Sequence, residues 1–238
     1  NGLGASGPDT VPGIDAGLDH FVTPEQFFAG KVIGERVVVL DSDGYFMGIS
    51  IAEVLADQGK QVTLVTHLET VAPMTALTLE GYNLRRMLRE KGIKERTGHW
   101  VDKVEKRGNG VEVALYDRYR DGSRRTTKPE TGVYPRRLGD AVEILSCDSV
   151  ILCTSREAKT DLYDGVMALK PRWQEAGLDV VVRSGDCLAP SYLADAIFDG
   201  HRIAREFESV NPERPKAIIR ERQIWGHETF PKLGDHVV

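Results

Sequence analysis

Three turns in this sequence place small or acidic residues where backbone N–H groups could meet an anion or a sugar hydroxyl. The first, Gly2-x-Gly4-x-x-Gly7, has the spacing with which glycines let a chain turn tightly and approach a pyrophosphate. That chemistry needs a strand before the glycines and a helix after them, so that the helix N-terminus faces the phosphates. The sequence opens on these glycines without a strand, and Pro8, Pro12 and Gly13 prevent a helix from following. The match is read as coincidental. The second turn, Asp41-Ser42-Asp43-Gly44-Tyr45-Phe46-Met47-Gly48, is the opposite case. Strand before and helix after are as required, but Asp43 and Tyr45 stand at the first two glycine positions and only Gly48 survives at the third. Two carboxylates would repel a pyrophosphate, and the Tyr45 ring would block close backbone approach. The end of the next strand, Thr66-His67, offers neither a carboxylate for a ribose nor an arginine for a 2′-phosphate. This unit reads as a dinucleotide scaffold without dinucleotide binding.

The third turn, Ser184-Gly185-Asp186, follows an apolar run and precedes Pro190 and a helix expected from Tyr192. An Asp at the carboxyl end of a strand can accept hydrogen bonds from ribose or ribityl hydroxyls, and the helix start favours a phosphate. The plain alternative is a strand–turn–helix with Asp186 as a cap. The remaining reactive side chains fall into no catalytic pattern. His20, His67, His99, His201, His227 and His236 have no metal spacing, and Cys147, Cys153 and Cys187 form no C-x-x-C pair. The cysteines read as buried free thiols in a reducing compartment, hence a cytoplasmic protein. The Gly-rich, polar opening residues read as no secretion leader, and no apolar run reaches membrane-spanning length. A net charge of −5 and a pI near 5.7 argue against a nucleic-acid partner. Arg118, Arg120, Arg124, Arg125, Arg136 and Arg137 read as a solvated face, with a docking patch for an acidic partner as the alternative.

The elements that must position these turns follow from periodicity. Thr23-Pro24-Glu25-Gln26 predicts a short helix to about Ala29, with Thr as cap and Pro at the first helical position. Arg36 to Leu40 predicts a strand buried on both faces, Ile49 to Gln58 a helix ended by Gly59, and Gln61 to Thr66 a second strand, together a βαβ unit. A helix is expected from Leu77 to Lys91. Hairpins are expected at Asn109-Gly110, between Val101–Lys106 and Val111–Tyr116, and at Asp121-Gly122, between Tyr116–Arg120 and Arg124–Thr127. Strands at Ala141–Leu145, Ser149–Cys153 and Asp179–Arg183, a helix over Tyr192–Ser209 and a Pro-rich wrapping tail complete the reading. The fold class is α/β: a Rossmann-like parallel sheet with an inserted antiparallel meander (34–155), nested in the remnant of a second FAD/ADP-type nucleotide-binding domain (1–33 and 156–238).

Taken in order, Gly4-Ala5-Ser6, Val11-Pro12-Gly13-Ile14-Asp15, the Tyr45-Phe46-Met47 turn, Asp121-Gly122-Ser123, Val150 to Thr154 and the stretch from Gly185-Asp186 to Glu206 resemble the C-terminal part of the trimethylamine, dimethylamine and histamine dehydrogenase family, and more distantly 2,4-dienoyl-CoA reductase. The resemblance covers nearly the whole chain. It implies a parent protein with an N-terminal barrel holding FMN, a [4Fe–4S] cluster on cysteines, and a domain binding ADP or FAD, with electrons leaving to an electron-transfer flavoprotein. It implies that Gly185, Asp186, Gly4, Ala5, Tyr192, Leu193 and Ala194 line a partial ADP or FAD site, and that no catalytic or metal-ligating residue lies in this chain. The barrel, the cluster cysteines and the first βαβ unit of the ADP domain are missing here, and Leu3 replaces the family's usual Thr. Two other readings stay open: a fragment of an NAD(P)H-dependent reductase of the dienoyl-CoA type, and a stand-alone binding or docking module. A homodimer is left open as well.

Overall fold

Consecutive valines and isoleucines have no polar face to present to water, so the runs at 36–40, 61–66 and 149–153 must be covered on both sides. The structure, a computed structural model, describes residues 11, 14, 19–119, 142–154 and 156–206 and shows how this is done. The chain divides into two compact units, Asn1–Glu157 and Ala158–Val238.

In the first unit the elements run β1 (Phe21–Val22), α1 (Pro24–Phe28), β2 (Arg36–Asp41), α2 (Phe46–Asp57), β3 (Gln61–Thr66), α3 (Gly81–Glu90), β4 (Lys94–Arg96), β5 (His99–Arg107), β6 (Gly110–Asp117), β7 (Glu143–Cys147) and β8 (Ser149–Cys153). A five-stranded parallel sheet has the order β1-β8-β2-β3-β4, and β5-β6-β7 form a separate antiparallel sheet. Side chains alternate across β2. Val37 and Val39 join Ile49, Ile51, Leu55 and Leu88 of α2 and α3 in one core. Val38 and Leu40 join Trp100, Val101, Val113 and Leu115 of the meander in another. The parallel sheet is thus the middle of three layers, and the inserted meander does the work of the helices that cover the second face in most doubly wound folds. Each fully buried Val or Leu contributes on the order of 1.5–3 kcal/mol.

The sequence reading holds for the βαβ unit and for the short first helix. Gln26 N–H donates to Thr23 Oγ1 at 3.2 Å and Thr23 N–H to Gln26 Oε1 at 3.1 Å, a reciprocal cap at the start of α1. The first hairpin forms, but its turn is Gly108-Asn109, one residue earlier than the expected Asn109-Gly110: Gly110 already pairs with Arg107, and Gly108, at φ 57°, supplies the positive backbone angle. The Asp121-Gly122 turn lies outside the described residues. Three differences have physical causes. Helix α2 begins at Phe46, three residues before the expected start, because the turn at Asp41–Tyr45 is tight enough for helical geometry to begin at once. Helix α3 begins at Gly81 and not at Leu77, because Leu79 sits in the left-handed region at φ 63° and interrupts the helix. The strands β1 and β4, two and three residues long, are too short to show a period in sequence.

The second unit contains α4 (Asp161–Ala168), short 3-10 turns at Lys170–Arg172, Gln174–Ala176 and Gly185–Cys187, and α5 (Leu193–Glu206). Trp173 is buried and its indole N–H donates to the Val166 carbonyl at 2.9 Å. The strand expected at Asp179–Arg183 is absent: these residues have no regular structure. An isolated extended run cannot satisfy its backbone groups, and no described strand lies in this unit for it to pair with.

Candidate functional site

In an open parallel sheet, ligands meet the carboxyl ends of the strands where the strand order reverses. Here that place lies between β2 and β8, where Asp41 is registered opposite Cys153. Asp41 is fully buried. Its Oδ1 accepts the backbone N–H of Asp43 at 3.1 Å and of Gly44 at 3.3 Å. Gly48, in the first turn of α2, has the Asp41 carboxyl so close that an added Cβ would stand 2.7 Å from Asp41 Cγ. The N–H groups of the turn therefore point at the protein's own carboxyl. Burial pushes this carboxyl up to about 7, the Gly44 N–H opposes that, and the charge of the exposed Asp43 adds to it. The Tyr45 and Phe46 rings stack edge to face at 4.4 Å over the start of α2, whose first turn has no side-chain cap. This turn has neither the charge nor the backbone opening for a pyrophosphate.

At the end of β3 the structure supplies what sequence spacing does not show. Arg118, from the end of β6, reaches over and donates from Nη1 to the His67 carbonyl at 2.9 Å. The guanidinium is tied to the backbone there, and the His67 ring lies edge-on to Trp100 at 5.3 Å. Arg120, Arg124, Arg125, Arg136 and Arg137 lie outside the described residues. The other described histidines behave as surface or capping groups: His20 Nδ1 lies 2.9 Å from the Asp148 carbonyl and His99 Nδ1 2.6 Å from that of Thr97. Among the described residues no group of three His, Cys, Asp or Glu could hold a metal ion. No described helix is long and apolar enough to cross a membrane. Cys147 and Cys153 are buried and free, with burial raising both thiols, Cys147 to about 12. Cys187 departs from the expectation of buried thiols. It is exposed, and its thiol donates to the Ser184 carbonyl at 2.9 Å.

The third turn places five of the seven expected site residues together, all within the second unit. Gly185 has φ 61°, a conformation that glycine adopts without strain, and it opens the turn carrying Asp186. Leu193 and Ala194 open α5, and Tyr192, expected as its first residue, stands immediately before it. Asp186 is exposed, and its Oδ1 receives the Ser191 N–H at 3.5 Å. Asp195, in the first turn of α5, accepts from Ser191 Oγ at 2.5 Å and from Tyr192 N–H at 3.3 Å. The helix start therefore already carries a carboxylate. The arrangement suits a ligand hydroxyl, which donates to Asp186, better than a phosphate, which would face both Asp186 and Asp195. Behind the turn, Arg202 binds Asp199 at 2.5 Å and Glu206 at 2.9 Å. Burial pulls the Asp199 carboxyl up, but Arg202, Ser184 and the Gly185 N–H together hold it below the ordinary range. Gly4 and Ala5 lie outside the described residues.

The first unit is by these features a Rossmann-type domain with a degenerate phosphate turn and a meander for its second cover. Its residues 22–154 match the family described as the OYE-like second alpha/beta domain. Dimethylamine dehydrogenase of Hyphomicrobium sp. (strain x) is 38% identical over 219 residues, 92% of this chain and 29% of that protein. The structure of histamine dehydrogenase from Rhizobium sp. 4-9 superposes with a TM-score of 0.68 at 28% identity, over 93% of this chain and 31% of that one. That of 6-hydroxypseudooxynicotine amine oxidase from Pseudomonas geniculata N1 gives 0.61 at 28% identity, over 84% of this chain and 26% of that one. The chain belongs to the trimethylamine, dimethylamine and histamine dehydrogenase family, and it spans less than a third of the length of these relatives.

Proposed function

We propose that this chain is the C-terminal nucleotide-binding part of a flavin-dependent amine dehydrogenase. The observation that carries the reading is the 38% identity to dimethylamine dehydrogenase across 92% of the chain. The barrel, the FMN and the [4Fe–4S] cluster belong to the N-terminal part of the parent protein, and electrons pass from it to an electron-transfer flavoprotein. FMN supplies the two-electron oxidation of the amine, and no residue of this chain takes part in that step. The chain's own task is to hold ADP, or the ADP half of FAD. Asp186 accepts hydrogen bonds from the ribose hydroxyls, and Gly185 lets the backbone pass beside them without a side chain.

The surface of the second unit supports this assignment. Along α5, Leu193 is 76% exposed, Ile197 54% and Phe198 41%, and Glu206 is the helix's one buried residue. A helix with such a face folds against another layer. The N-terminal half of the nucleotide-binding domain, in the parent protein, supplies that layer. All three cysteines are free, which fits a reducing compartment and the cytoplasm. The buried Asp41 speaks against an NAD(P)H-dependent reductase.

The test is nucleotide release. The parent protein is denatured with acid and the supernatant separated by chromatography. One ADP or FAD per chain is expected, with occupancy falling at least tenfold in Asp186→Ala. A parent protein that releases no adenine nucleotide overturns the assignment.

A further inference from the structure

We propose that the β2–α2 turn is a proton latch: Asp41 holds the turn closed while its Oδ2 carries a proton, and the turn loosens when that proton leaves. The geometry carries this. Asp41 Oδ1 is fully used by the N–H groups of Asp43 and Gly44, whereas Oδ2 is buried with no hydrogen-bond partner. A neutral carboxyl leaves one weakly polar group unpaired there, whereas an ionised one leaves a charge without a partner in an apolar setting, which costs far more. The groups facing Asp41 give that charge no relief. Asp43 in the turn is a like charge, and Cys153 on β8 is a thiol that burial keeps protonated. Glu25 of α1 and Arg156 act on Cys153 from beyond it and bind each other at 2.5 Å. Thr66 on β3 and Gly48 on α2 bring no charge.

The sign follows from linkage. The closed turn binds the Asp41 proton more tightly than an opened, hydrated turn does. Closure is therefore complete in acid and weakens as pH rises towards neutrality. The consequence lies at the carboxyl rim of the sheet, where Asp43 and Tyr45 would shift as the turn opens.

The test is amide hydrogen exchange at Asp43 and Gly44 in the intact protein, expressed as protection factors so that intrinsic pH dependence is removed. Protection falls about tenfold per pH unit above the ordinary aspartate range and levels off near pH 7, about a hundredfold loss in all between pH 5 and pH 8. Asp41→Asn, a neutral mimic of the acid, abolishes the dependence. Asp43→Asn removes only an exposed like charge, so it keeps the fold and moves the plateau to lower pH. Flat protection in the wild type, or an unchanged slope in Asp41→Asn, overturns the proposal. Should Asp41→Asn fail to fold, an unmoved plateau in Asp43→Asn overturns it equally.

Discussion

Gly48→Ala tests the packing of the turn through one methyl group. The backbone at Gly48 is helical and accepts alanine, and a helix interior gains about 1 kcal/mol from Gly to Ala. Against this, the new Cβ would lie 2.7 Å from Asp41 Cγ and 2.9 Å from both Asp41 Cβ and Oδ1. These atoms belong to a short, fully buried side chain that cannot swing aside without giving up its bonds to Asp43 and Gly44. Overpacking of this kind costs up to about 3 kcal/mol, so the net effect in the wild type is a loss of about 1–2 kcal/mol. Asp41→Gly removes all three offending atoms. In that background the same Gly48→Ala change stabilises by up to about 1 kcal/mol, giving a coupling of about 2–3 kcal/mol in the double-mutant cycle. The assay is urea denaturation of the four proteins at one pH, with the slope checked for constancy. Equal effects of Gly48→Ala in both backgrounds would refute the placement of Asp41 beneath α2.

Further outcomes follow from other contacts. Thr23→Ala removes one arm of the reciprocal cap on α1 and lowers stability by about 1 kcal/mol in the same assay. Arg96 binds Glu143 at 2.6 and 2.8 Å, joining β4 to β7, but both side chains are about a third exposed. Glu143→Gln therefore costs no more than about 1 kcal/mol, and less in high salt. Arg96 holds the Glu143 carboxyl below its ordinary range, so this contribution is present at neutral pH and is lost as pH falls through that lowered value. Thermal scans of the wild type and Glu143→Gln therefore converge in acid. A thiol reagent labels Cys187 in the native protein and reaches Cys147 and Cys153 only in denaturant, as mass spectrometry of the labelled peptides will show.

What could be read from sequence was what period and turn chemistry encode. The runs Arg36–Leu40 and Gln61–Thr66 and the Thr23-Pro24 cap are local rules, and the structure keeps them, while the first hairpin forms with its turn shifted by one residue to Gly108-Asn109, where Gly108 takes the positive φ. The degenerate turn was legible as unfit for a pyrophosphate because Asp43 and Tyr45 stand where glycines should. That Asp41 is seated beneath the helix was not legible, since strand alternation gives its face but not its contact with Gly48. Arg118 reaches β3 across fifty-one residues of chain, a distance no motif spans. The strand expected at Asp179–Arg183 failed for the converse reason: its apolar letters are right, but a strand also needs a neighbour.

The central claim is that this chain completes a larger flavoprotein. The most direct measurement is the intact mass of the protein in its native source, with flavin, iron and acid-labile sulfide determined on the same sample. The account predicts a polypeptide about three times the length of this chain, in keeping with the 29% share of dimethylamine dehydrogenase that it spans. That protein would carry a flavin and an iron–sulfur cluster. A native chain with the mass of this sequence, 26.4 kDa, free of flavin and iron, would contradict it.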